Sequence, residues 1–105
     1  MTALVRMKND ELRQTLVPSS DASVILSREV SQHPALQHIL EAVRTFDDFN
    51  DGNDPYKEHD FGAVKVTGEL FYFQMSHYDK DPRRNSDAMH GYNHFVITVM
   101  HSSEY

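Results

Sequence analysis

The chain has 105 residues, with 16 Asp and Glu against ten Lys and Arg and a formal net charge of −6. That length fits one domain with one core, and 39% apolar residues, including six Phe and five Tyr, argue against disorder. The acid excess disfavours direct binding to nucleic acid, whose phosphates call for Lys and Arg, and the absence of cysteine excludes disulfides, thiolate zinc sites and a Cys nucleophile.

The first segment, from about Thr2 to Leu16, carries Leu4, Val5, Leu12 and Leu16 at loosely helical spacing. Pro18, Ser19, Ser20 and Asp21 break it. Ser23 to Val30 is a short β-branched run and reads as a strand. The strongest helix is predicted over 34–49. Ser31 is its candidate N-cap, Pro34 suits its first turn, and Leu36, Ile39, Leu40, Val43 and Phe46 form one apolar stripe. Asn50, Gly52, Asn53 and Pro55 prevent continuation.

A hairpin follows, with its turn at Thr67-Gly68. A two-residue loop there sets Val66 opposite Glu69, Val64 opposite Phe71, Gly62 opposite Phe73 and Glu58 opposite His77. One face then shows Val64, Val66, Phe71, Phe73 and Met75; the other shows Phe61, Ala63, Leu70 and Tyr72. Two apolar faces predict a sheet covered on both sides, by helices or by helices and a partner subunit, so a homodimer is one expectation. A polar loop spans 79–93, with Arg83 and Arg84 as a compact basic spot, and a last strand runs from His94 to His101. The resulting order is α-β-α-β-β-β: an α+β two-layer sandwich, an antiparallel meander packed on an amphipathic helix. Apolar runs such as Phe95-Val96-Ile97 are too short for a bilayer, and the polar start of the chain lacks a signal-peptide core, so a cytoplasmic protein without membrane contact is expected.

The densest stretch is Asp47 to Gly62. Set against a calcium loop starting at Asp47, it supplies Asp51, Gly52 and Glu58 at positions 5, 6 and 12, but Phe49 stands at position 3 and a strand follows. A transition-metal or hydrolytic site is the second reading, with Glu58, His59, Asp60 and His77 as its residues, although no H-x-H or H-x-x-x-H spacing is present. No nucleophile elbow and no glycine-rich phosphate loop appear, so no cofactor is expected and an enzyme is disfavoured. The third reading is a partner-binding surface: Asp47, Asp48, Asp51, Asp54, Glu58 and Asp60 crowd one segment in which Lys57 is the sole fixed positive charge. Such a surface suits a protein partner with a basic groove. The fourth is structural: Asp and Asn here accept backbone N–H bonds, and Asp54-Pro55-Tyr56 sets a type I turn with Tyr56 over the core edge.

The segments AVRTFDDF, NDPYKEHDFGAVKV, YDKD and the closing ITVM and EY resemble a small uncharacterised bacterial family catalogued as a domain of unknown function. The resemblance runs from Asn9 to Tyr105 and is most specific over Asn53 to Gly62. It implies one compact domain and no particular activity, and an origin in proteobacteria and their plasmids. Members of that family carry Gly where this chain has Lys57. The small, acidic, motif-poor profile suggests a non-enzymatic interaction protein, an inhibitor from a mobile element acting on a host defence complex, in the manner of an anti-CRISPR protein. A small metal-dependent enzyme or metal-binding domain is the rival expectation.

Overall fold

A computed structural model describes residues 2–78 and 94–105; the expected polar loop, with Arg83, Arg84 and His90, lies outside the described residues. The elements are α1 (Thr2–Thr15), β1 (Ala22–Leu26), α2 (Arg28–Ser31), α3 (Leu36–Arg44), β2 (Phe61–Val66), β3 (Glu69–Tyr78), β4 (His94–His101) and a closing 3-10 turn (Ser102–Glu104). The class is α+β, but the sheet is mixed rather than a plain antiparallel meander. Its order is β1-β4-β3-β2, and β1 runs parallel to β4. Period-2 patterning fixes which face a strand buries, not which neighbour it chooses. The free side of β4 takes β1, which brings Ala22, Val24 and Leu26 against the core.

Three local expectations change. The strand expected over 23–30 stops at Leu26, because Ser27 caps a helical turn: its Oγ accepts from the Val30 N–H, and Val30 becomes fully buried. Ser31 ends that turn instead of starting the next helix, which begins after Ala35 with no side-chain cap. That helix stops at Arg44, short of 49, because Phe46 and Phe49 leave the helical path to pack edge-on against Phe73, with ring centroids 5.2 and 6.3 Å away.

The hairpin register is as expected over Phe61 to Val66. Thr67 and Gly68 both have positive φ, 53° and 81°, as the tight primed turn requires. The face carrying Val64, Phe71, Phe73 and Met75 joins Phe95, Ile97 and Val99, and receives Val5 and Leu12 of α1, Val30 of α2 and Ile39 and Val43 of α3. This is the core, and the helices lie on that side. Gly62 sits where two rings converge: an added Cβ would lie 2.4 Å from Phe73 Cε2 and 2.7 Å from Phe46 Cε1. The expected cover on both faces is not found among the described residues. The opposite face carries a cluster of Phe61, Tyr72 and Tyr105, with Leu70 and Ile25 exposed. No helix among the described residues is long and apolar enough to cross a membrane.

Candidate functional site

The loop from Thr45 to Asp60 is built by its own amides and one carboxylate. Asn50 Oδ1 accepts from the Gly52 and Asn53 N–H groups, at 2.8 and 3.3 Å. Asn53 Oδ1 accepts from Asn50 N–H at 2.9 Å, and its Nδ2 donates to the Asp48 carbonyl at 2.8 Å. The Lys57 N–H donates to the Asp54 carbonyl at 3.1 Å, closing the turn around Pro55 and Tyr56. Asp54 Oδ1 then accepts from both Glu58 and His59 N–H, each at 3.0 Å. Two residues of this loop, Lys57 and His59, hold left-handed φ of 57° and 54°. Tyr56 points away from the core edge it was expected to cover and is 76% exposed.

Helix α1 locks this loop from below. Asn9, wholly buried, donates its Nδ2 to the Glu58 carbonyl at 2.9 Å and accepts at Oδ1 from His77 Nε2 at 2.9 Å. The amide oxygen can only accept, so His77 carries its proton on Nε2. Asp10 Oδ1 accepts from Arg13 Nη1 at 3.0 Å and from His59 Nδ1 at 2.8 Å. The Arg13 guanidinium lies over the Phe49 and Phe73 rings, 5.1 and 5.9 Å from their centroids, with its Nε buried and without a hydrogen-bond partner. His59 stacks flat on Phe49, centroids 3.9 Å apart.

The electrostatics follow from burial and crowding. Burial pushes the Glu58 carboxyl up, and the nearby Asp60 and Asp54 charges push it further. Burial holds His77 below its ordinary value, against the opposing pull of Asp60. Burial also lowers Arg13, opposed by Asp10.

The expected site residues separate. Asp47, Asp48 and Asp51 are exposed; Glu58 and Asp60 are half-buried; Asp54 is withdrawn from solvent at 4%. Glu58 does not face His77 across the hairpin. β2 starts at Phe61, the ladder ends at Phe61 and Gln74, and pairing continues only as the Met75 N–H to Asp60 carbonyl bond of 2.8 Å. The positive φ of His59 turns the chain out of the sheet, and Asn9 fills the space between Glu58 and His77. Among the described residues, no three His, Asp or Glu stand close enough together to hold a metal ion.

A second polar cluster was not anticipated. Glu69, beside the hairpin turn, accepts from His33 Nε2 at 2.8 Å and from His101 Nε2 at 3.1 Å. His33 Nδ1 accepts from the Ala35 N–H and His101 Nδ1 from the Ser103 N–H, both at 3.0 Å. Each imidazole is therefore fixed with its proton on Nε2, pointing at the carboxylate. The hydrogen bond from His33 is the largest of the effects that hold Glu69 below the usual carboxylate range. His101 lies opposite Phe71 in the β3–β4 ladder, two residues along from Glu69, but that ladder register has no turn to announce it in the sequence.

No curated protein and no solved structure matches the chain. A family model described as a protein of unknown function, DUF3768, matches residues 23–104, so α1, which supplies Asn9, Asp10 and Arg13, precedes the matched region. The chain belongs to the DUF3768 family.

Proposed function

We propose that the protein is a non-enzymatic interaction module that engages the basic surface of a protein partner through Asp47, Asp48 and Asp51. The supporting observation is that these three exposed carboxylates sit on a loop whose backbone is held by Asn50, Asn53 and Asp54 side chains. A negative surface fixed before binding loses little entropy on association and steers a basic partner by long-range attraction. In this reading the chain acts in the cytoplasm of a bacterium, is carried by mobile elements and inhibits a host defence complex.

The test is binding to a partner captured from host lysate, compared between wild type and a D47N/D48N/D51N variant. The three substitutions leave the loop hydrogen bonds in place, since Asp47 and Asp48 use only backbone carbonyls there and the Asp51 side chain makes only an exposed 3.7 Å ion pair with Lys57. Affinity is expected to fall at least tenfold in the variant and steeply between 50 and 500 mM salt. A partner held equally well by the variant, or equally well across that salt range, refutes the reading.

A further inference from the structure

The sheet has two faces, and the core and helices occupy one of them. On the other, strand alternation turns Ile25, Phe61, Leu70, Tyr72 and Met100 outward from four neighbouring strands. Tyr105 packs against Phe61 and Tyr72, and the three ring centroids lie 5.0 to 6.0 Å apart, so the patch is already assembled in the single chain. It is also open: Ile25 is 49% exposed, Leu70 39% and Tyr105 72%. Charge sets this face apart further. The chain carries 16 Asp and Glu, and the outward positions of β1 to β4 hold none of them. Their one Lys or Arg is Lys65, on the outer strand β2 beside the hairpin turn. A solvated sheet face turns polar residues outward; this one has the composition of half a sandwich core.

We propose that this face joins a second copy of the chain, sheet against sheet, about a twofold axis. Two observations choose that occupant. The first is charge. A molecule of net charge −6 repels its own copy, and the open face meets a copy without setting one carboxylate against another. Lys65 stays at the rim, where a charged group keeps its water. A partner recognised by its charge finds little here to pair with. The second is area. Four strands of five to ten residues, at about 3.3 Å per residue and about 4.8 Å between strands, give a flat footprint of roughly 450 Å² on each copy. The pair covers roughly 900 Å² before the projecting Tyr72 and Tyr105 side chains are counted, and a specific interface needs about 1,000 Å². Pairing at the sheet edges is opposed: Ala22 at the start of β1 is taken up by its bridge to Ser19, with bonds of 2.9 and 3.4 Å, and β2 carries the Lys65 charge. The acidic loop packs on the helix side, through Phe46 and Phe49 against Phe73, so the joint and the proposed partner surface are separate.

The test is sedimentation equilibrium of the full chain without a tag, up to about 100 µM, a range that reaches weak dimers. Wild type is expected to approach twice the 12.1 kDa of one chain. Raising salt from 50 to 500 mM is expected to tighten the dimer, because it screens the repulsion between two acidic copies. Ile25→Glu and Leu70→Glu place a carboxylate on side chains already exposed in the single chain, and each is expected to raise the dissociation constant at least tenfold. Circular dichroism checks their folding. Tyr105→Ala trims an exposed side chain at the end of the chain and gives a readout that does not depend on them; it too is expected to weaken the dimer. D47N/D48N/D51N is expected to leave it unchanged, so failure of the joint and failure of the partner surface are read apart. A wild-type mass of 12.1 kDa throughout overturns the proposal. So do a dimer that I25E, L70E and Y105A leave intact, a dimer that dissociates as salt rises, and assemblies that grow past two copies, since a closed twofold contact stops there.

Discussion

Asn9→Ala tests the joint between α1 and the loop. The side chain is wholly buried and satisfies two groups at once, the Glu58 carbonyl and the His77 Nε2–H, each at 2.9 Å. Its removal leaves both without that partner. A buried group stripped of its hydrogen bond costs about 1–3 kcal/mol, so with two such groups the variant is expected to lose about 2–6 kcal/mol. That is a large share of the roughly 5–15 kcal/mol available to a domain, and corresponds to a melting point lower by at least about 10 °C. Asn9→Asp refines the test. It still accepts from His77 but turns a carboxylate towards the Glu58 carbonyl, beside Asp10, and is expected to be worse than alanine at pH 7 and to improve as pH falls. Urea unfolding followed by circular dichroism measures both. A loss under about 1 kcal/mol for N9A refutes the joint, and an N9D variant as stable as wild type at pH 7 refutes the donor role of the amide.

Three further outcomes follow from particular residues. Gly62→Ala drives a methyl to 2.4 Å from Phe73 Cε2 and 2.7 Å from Phe46 Cε1; Phe73 is fully buried and Phe46 packs half-buried against the core, so unfolding free energy is expected to drop by about 1–3 kcal/mol, and a drop under about 0.5 kcal/mol contradicts the close approach. His77 is held below its ordinary value of 6.5 by burial, so the unfolded chain takes up the proton first. Its contribution is complete above about pH 6.5 and is lost as pH falls below it, and the melting point of H77Q is expected to change less than that of wild type between pH 7 and 5.5. Lys57→Gly relieves a left-handed φ of 57° and gives up an exposed 3.7 Å ion pair of little value, so stability is expected to rise by up to about 1 kcal/mol in thermal melts.

Much of the fold was legible because its signals are local. The stripe from Leu36 to Val43, the turn at Thr67-Gly68 and the pairing of Val64 with Phe71 each rest on spacing within a few residues. What stayed hidden is non-local. Nothing near Ala22–Leu26 states that the strand will lie parallel to β4. Nothing near Asn9 states that a polar residue on α1 will be buried between Glu58 and His77, 49 and 68 positions away. The acidic loop was recognised as a unit, but its division was not. Asp54 differs from Asp51 only in what the backbone around Pro55 offers it, and that appears once Lys57 and His59 take left-handed φ.

Costs in this fold stand in several places, among them the left-handed φ of Thr67 and the buried, unpartnered Nδ1 of His94, but more of them gather in the acidic loop and α1. The His33–Glu69–His101 cluster is satisfied: each imidazole has a donor on one nitrogen and an acceptor on the other. The loop and α1 are not. There stand two left-handed non-glycine residues, a buried guanidinium with an unpartnered Nε, and a Glu58 carboxyl destabilised by burial and then by the Asp60 and Asp54 charges. Each works against stability. Sequence choices that contradict local stability concentrate where a fold does its work. By that criterion the loop on which Asp47, Asp48 and Asp51 are exposed is where the proposed partner surface belongs.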